Sequence, residues 1–200
     1  MLGGAALISA TLDTEGRIVQ LLPGHKLTFG EVPGGSSKRT RALMGILEGA
    51  GFDVAASDCV MQDMWEKWVG LATTVAGITC LMRASTGDSL AAHGGQETMV
   101  GLFRECSSVA EANGYVPRLP YIDLAMGMLN TVGSPFKALM LRDIERGSIT
   151  EASMFLETWW HVPAPPAYRH PSLNLPASML RPMKSIALAR VATSVRPMMV

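Results

Sequence analysis

Lys67 sits where a lysine could do chemistry. It follows Met64-Trp65-Glu66 and precedes Trp68, at the mouth of an uncharged run from Trp68 to Met82 that closes on Arg83. Burial favours the neutral amine and can pull a lysine below its reference value of about 10.4, which makes the ammonium a usable proton donor near neutrality. The competing reading is an amphipathic helix end whose stem packs on apolar surface while the charged head stays in water.

A second segment joins the first. Leu141-Arg142-Asp143-Ile144-Glu145-Arg146-Gly147 leads into Thr150-Glu151, and Cys80-Leu81-Met82-Arg83-Ala84-Ser85 lies between it and the lysine. Three separated blocks in this order resemble the C-terminal domain of ketopantoate reductase (2-dehydropantoate 2-reductase), over about residues 3 to 156. The resemblance implies NADPH-dependent reduction of a 2-keto acid to the 2-hydroxy acid, on the route to pantothenate if the substrate is 2-dehydropantoate. It makes Lys67 the residue that protonates the keto oxygen as hydride reaches the carbon. Glu151 matches a glutamate that contacts the cofactor, and Asp143 a recurring aspartate that orders the site. Each has a plainer role as well: Glu151 as a carboxylate in the first turn of a helix, Asp143 as a salt bridge or cap. Thr86 stands where well-known members carry an asparagine on the substrate side. Leu71 and Val75 replace two further substrate-binding asparagines, and Leu139 replaces a serine. Apolar residues there leave a substrate's oxygens unpaired, at about 1 to 3 kcal/mol each. That departure puts ketopantoate itself in question and points to another 2-oxo acid or a less polar carbonyl compound.

Composition sets the outer bounds. Two hundred residues, 48% hydrophobic and 17% charged, suffice for one domain or one domain with a piece of another. Net charge is zero, without the basic stripe that nucleic-acid binding needs. Cys59, Cys80 and Cys106 show neither a CxxC pair nor a zinc spacing, and His25 and His93 stand alone, so no metal is expected. The N-terminus lacks a secretion pattern, and Trp68 to Met82 is shorter than the about 20 apolar residues of a membrane span. A cytoplasmic protein, bound to neither membrane nor nucleic acid, is the expectation.

The elements that must position Lys67 follow from pattern. Ala5 to Leu12, Arg17 to Leu22 and Lys26 to Phe29 read as three strands, with a turn at Asp13-Thr14-Glu15-Gly16. Three short strands make a poor domain alone and look like the edge of a larger sheet. Pro33 to Ser37 reads as a linker. From there the signals are helical: Ser37 to about Ala50, a long helix capped by Ser57 or Asp58, then Gly95 to Asn113, Tyr121 to Asn130 and Pro135 to Arg146, with one more beginning at Thr150. Ala84 to Asp88 reads as a turn. The expected fold is mainly α, a helical bundle of the 6-phosphogluconate-dehydrogenase C-terminal-like type, which the resemblance supplies, preceded by a β remnant of a Rossmann domain. The expected division is 1–36 for the remnant and linker, 37–156 for the helical domain and 157–200 for an atypical tail. All seventeen acidic residues lie in positions 1 to 157; set against the phrases the resemblance leads one to expect there, the proline-rich remainder reads as the product of a shifted reading frame, with a genuine variable tail as the alternative.

No G-x-G-x-x-G fingerprint, G-x-S-x-G elbow or H-E-x-x-H pair occurs. Gly30 to Lys38 faintly resembles a P-loop, but Ser36 holds the position the lysine must take. The cofactor's phosphates are therefore expected to be held by a Rossmann half outside this sequence, and the chain alone is expected not to transfer hydride. The alternatives are a non-catalytic helical dimerisation module, a homodimer or a complex with a separate Rossmann partner, and an inactive gene remnant.

Overall fold

A computed structural model describes residues 1–74, 77, 78 and 82–145, apart from the side chains of Leu22, Leu139, Asp143 and Ile144. Strands β1 (Leu2–Leu12) and β2 (Ile18–Glu31) pair as an antiparallel hairpin. Its turn is made by Asp13, whose carboxylate accepts the backbone N–H groups of Glu15 and Arg17 at 2.9 Å each and the Arg17 guanidinium at 2.7 Å. Gly16 follows at φ +80°, a conformation that costs glycine little.

The second and third expected strands are one. β2 runs through Pro23 and Gly24 without ending, because the pairing register shifts there: Ile8 faces His25 while Ala10 faces Gln20. Such an irregularity accommodates a proline that cannot donate to the ladder. The true third strand is β3 (Asp53–Ala56), parallel to β2 from Lys26↔Asp53 to Phe29↔Ala56. Four residues give too short a pattern to read from sequence. Parallel strands need a crossover, and helix α1 (Lys38–Leu47) supplies it. Ser37 caps α1 reciprocally with Thr40. The helix ends at Leu47, short of Ala50, because Gly49 turns to φ +84°.

The helical part comprises α2 (Val60–Thr74), α3 (Thr86–Ala91), α4 (Gly95–Ala112), α5 (Leu119–Leu129) and α6 (Leu139–Glu145). The expected turn at Ala84–Asp88 begins α3 instead: the Ser85 hydroxyl accepts the Asp88 N–H at 3.1 Å. The core joins Val69 and Ala72 of α2 to Met99, Leu102, Phe103, Cys106 and Ala110 of α4, with Ile78, Leu129 and Leu141 around them. Cys106 is fully buried and burial pushes its thiol up to about 12, so it packs as a small apolar residue. The described structure is thus helical with a small sheet, and the sheet carries longer strands than the pattern suggested. No described helix is long and apolar enough to cross a membrane.

The sheet meets α2 through glycine. A Cβ on Gly30 would run into the backbone carbonyl of Ser57 and approach Val60 Cβ to 3.0 Å; a Cβ on Gly3 would meet Val32 at 3.0 Å and Met64 Sδ at 3.1 Å. Val60, the first residue of α2, is wholly buried in this contact. Gly30→Ala must therefore push the start of α2 off the sheet. A loss of about 1 to 3 kcal/mol is expected, read as a lower midpoint in urea unfolding, whereas Gly45→Ala, where nothing lies within 4 Å, should cause no such loss.

Candidate active site around Lys67

Helix α2 owes its position to a carboxylate on the side away from the sheet. Glu66 is only 5% exposed. Its Oε1 accepts the Arg118 backbone N–H at 2.8 Å, the Arg118 Nε at 2.9 Å and the Gln62 amide at 3.1 Å; its Oε2 accepts Arg118 Nη2 at 2.5 Å. Asp63, one turn earlier, takes a further bond from Arg118 Nη2 at 2.5 Å, and the Ser57 hydroxyl donates to its other oxygen. Burial raises the Glu66 carboxyl, and the bonds from Arg118 and Gln62 outweigh it, so the group lies below its ordinary range. Arg118 is raised in turn by Glu66 and then Asp63.

Lys67 is the next residue and points elsewhere. Its ammonium donates to the Ala6 carbonyl of β1 at 2.6 Å, and the side chain is half-buried. An ammonium has three N–H donors, so one is committed to the sheet backbone. The amine lies at the seam between the edge strand and α2. Trp65 and Trp68 flank it in sequence, in edge-to-face contact with ring centroids 5.4 Å apart, and Trp65 also stacks on Tyr115 at 5.6 Å.

One turn on, Gly70 lies under Tyr121 of α5; a Cβ there would come within 2.6 Å of the Tyr121 hydroxyl. Burial, followed by the Glu66 charge, pushes that phenol up to about 12. Thr74 donates its hydroxyl proton back to the carbonyls of Gly70 and Leu71, 3.1 Å from each.

The other sequence-derived residues divide. Thr86 is buried at the start of α3, where its N–H and its hydroxyl both donate to the Phe136 carbonyl, at 2.8 and 3.2 Å. Gly87 N–H donates to Ser134 at 2.9 Å, so this pair of residues ties α3 to the segment before α6. Asp143 lies in α6, with its side chain outside the described atoms, and Glu151 lies outside the described residues, as do Val75 and the segment 157–200. Lys67 and Thr86 are thus both placed, Lys67 against β1 and Thr86 against the Ser134–Phe136 segment.

Glu66, Asp63 and Arg118 escaped the sequence reading. Their signal was present: two carboxylates three residues apart share a helix face, and one of them interrupts an aromatic run that had no other reason to carry a charge.

The pair sets an acid limit on the fold. Because the folded pKa of Glu66 is depressed, its contribution is present above its unfolded value of 4.5 and is lost as pH falls through the folded one. Thermal melts from neutral pH down should therefore lose Tm below pH 4.5 in the wild type, and less in Glu66→Gln. Arg118→Ala strands a buried carboxylate; since half of Arg118 faces solvent, a cost of about 2 kcal/mol is expected at neutral pH.

Residues 59–162 match the family described as "Ketopantoate reductase PanE/ApbA C terminal". The uncharacterized oxidoreductase YkpB of Bacillus subtilis strain 168 is 33% identical over 152 residues, covering 76% of this chain and 50% of the relative, so the chain spans about half the length of the curated relative it matches. The crystal structure of 2-dehydropantoate 2-reductase from Methylococcus capsulatus superposes with a TM-score of 0.71 at 23% identity, over 98% of this chain and 60% of that one. That of 2-dehydropantoate 2-reductase from Geobacter metallireducens gives 0.74 at 22% identity, over 90% and 60%. These two likenesses speak to the fold, and the family match and the Bacillus relative to ancestry. With a lysine-bearing helix seated on a sheet edge and the matching domain beginning at Cys59, the chain belongs to the ketopantoate reductase family of oxidoreductases.

Proposed function

We propose that this chain is the substrate-side part of an NADPH-dependent reductase that converts a 2-keto acid to the 2-hydroxy acid, with Lys67 as the proton donor. The observation that supports it is the Lys67 ammonium at the seam between β1 and α2, anchored through one N–H at 2.6 Å. The two remaining N–H groups are then available to a substrate's oxygens. Hydride addition to a keto carbon leaves an alkoxide, and an anchored ammonium can bond to that oxygen as its charge develops and then release a proton to it. The neutral amine regains its proton from water. In this reading Asp143 and Thr86 order the site, Thr86 by fastening α3 to the Phe136 backbone, and Glu151 serves the cofactor side.

The nicotinamide cofactor would supply the hydride. The start of α1, where the P-loop-like stretch ends, offers no cradle for its phosphates. In the P-loop-like stretch, the Glu31 carboxylate occupies the start of α1, accepting the Ser37 hydroxyl at 2.5 Å and the Arg39 guanidinium. Arg39, then Ser37, hold that carboxyl down to about 2, so the place an anion would take already carries a negative charge. The reading therefore includes a nucleotide-binding half lying outside residues 1–200.

A second reading is favoured by a different observation. Pro120, Leu124, Met128 and Val132 repeat every fourth residue along and just past α5; the last three are 57%, 61% and 89% exposed, and Leu119 beside them is 74% exposed. A stripe of this kind suits self-association, which fits a dimerising module as well as a dimeric enzyme.

Two measurements test these readings. Supplied with a nucleotide-binding half, the chain should reduce 2-keto acids with NADPH, and Lys67→Ala should lower kcat by about 10²- to 10⁴-fold, with no change in the thermal melt large enough to explain it. The chain alone should consume NADPH no faster than Lys67→Ala; reduction that survives Lys67→Ala would remove the lysine from the chemistry. Leu124→Glu should shift a dimer to monomer in size-exclusion chromatography, and an unchanged elution volume would exclude α5 as the contact.

A further inference from the structure

Helix α2 is strapped by the segment that links α4 to α5. Glu66 accepts the Arg118 backbone N–H and Nε on one oxygen and Nη2 on the other, and Asp63 takes a further bond from Nη2. The Gln62 amide donates to the Val116 carbonyl at 2.9 Å, and Trp65 stacks on Tyr115. Gln62, Asp63, Trp65 and Glu66 all lie in the turn before Lys67, and all are held by residues 115–118. Lys67 comes about 100° further round the helix than Glu66, with its ammonium on the Ala6 carbonyl.

The contacts on α2 differ in how well they resist a roll about the helix axis. The sheet touches the start of the helix at Val60 and Met64, against Gly3 and Gly30. These are van der Waals contacts, and a methionine with three rotatable bonds adapts to a neighbour that moves. The Arg118 fork is directional, because paired charge-assisted bonds to one carboxylate hold only while the two planes stay aligned. A roll of about 20° carries a group about 6 Å from the axis through about 2 Å. That displacement would take the Lys67 ammonium from 2.6 Å to beyond hydrogen-bond reach of Ala6.

We infer that Arg118 is a positioning residue for Lys67: by holding Glu66 and Asp63 it sets the roll of α2 that lays the ammonium on the β1 backbone. The placement of the amine stands on these contacts alone, whereas its consequence for hydride transfer rests on the reading of Lys67 as the proton donor. A misplacement of about 1 Å can cost about 10²-fold in rate even when the change lies far from the chemistry. Arg118 therefore bears on the rate through the helix, without handling a proton itself.

Competitive acetylation of the full chain with a trace of N-acetoxysuccinimide, read lysine by lysine by mass spectrometry, reports the placement without turnover. Lys26 and Lys38 are exposed and serve as internal references. In the wild type Lys67 should react more slowly than either. Arg118→Lys keeps the charge and the backbone N–H but loses the fork, and should raise Lys67 labelling by about tenfold, the worth of one hydrogen bond to a charged group. Glu66→Gln loses one of the two acceptors; it should move the ratio the same way and stands in if Arg118→Lys does not fold. Ser37→Ala removes the α1 cap and lowers stability without touching α2, so it should leave the ratio where it was. Labelling unmoved by both clasp variants, or raised as much by Ser37→Ala, would overturn the inference. So would a wild-type Lys67 as reactive as the references. With a nucleotide-binding half supplied, Arg118→Lys should lower kcat by up to about 10²-fold and leave the KM for NADPH unchanged. A labelling change with kcat unmoved would keep Arg118 as the positioning residue and remove Lys67 from the chemistry.

Discussion

The buried Glu66 carboxylate is the constraint from which the arrangement of the helices follows. A charge so enclosed is tolerated only when fully hydrogen-bonded, and its desolvation otherwise costs several kcal/mol. Arg118 meets that demand with a backbone N–H and a guanidinium edge at once. Since Arg118 is the residue before α5, the pairing fixes where α5 starts relative to α2, and Tyr121 one turn later is brought over Gly70. A lysine in place of Arg118 could not offer the planar fork that meets both Glu66 oxygens at once. The pair need not add net stability over an apolar equivalent; what it supplies is register.

On its opposite side α2 is held by close approach. Gly3 and Gly30 let the strands reach Val60 and Met64, and on the core face Val69 and Ala72 join Met99, Leu102 and Phe103 of α4. Helix α2 is thus gripped by the sheet at its start, by Arg118 near its middle and by α4 along its core face. Lys67 emerges from the part of the helix that all three fix. A functional group gains from such a location, because its orientation is set by contacts that do not involve the group itself.

Much of this was legible in the sequence, and the losses have physical causes. The α4 boundaries and the Ser37 cap were readable because capping residues and helical periodicity are local. β3 was missed since its pairing partner lies 27 residues away in register, Lys26 with Asp53, and nothing within four residues announces it. β2 was broken in two because Pro23 and Gly24 look like a terminator, and only the partner strand's register shift shows otherwise. Lys67 could be singled out by its neighbours. Its bond to Ala6 could not, since that contact joins residues 61 apart. The Arg118 clasp failed to register for the same reason: 52 residues separate it from Glu66. Local chemistry was visible, and long-range partnership was not.

The bond to Ala6 bears on how a structural lysine and a chemical one can be the same residue. β1 is an edge strand among the described residues, and an outward carbonyl on an edge needs a donor. Lys67 provides it, which would be sufficient reason for a lysine there in a protein with no chemistry at all. Yet the same bond restricts the flexible four-carbon stem, whose freedom a lysine otherwise gives up when it binds a ligand. An ammonium tethered by one N–H to rigid backbone keeps two donors directed away from the strand and spends little further freedom in binding an oxygen. In the proposed reading, anchoring the edge and presenting a proton would be one arrangement.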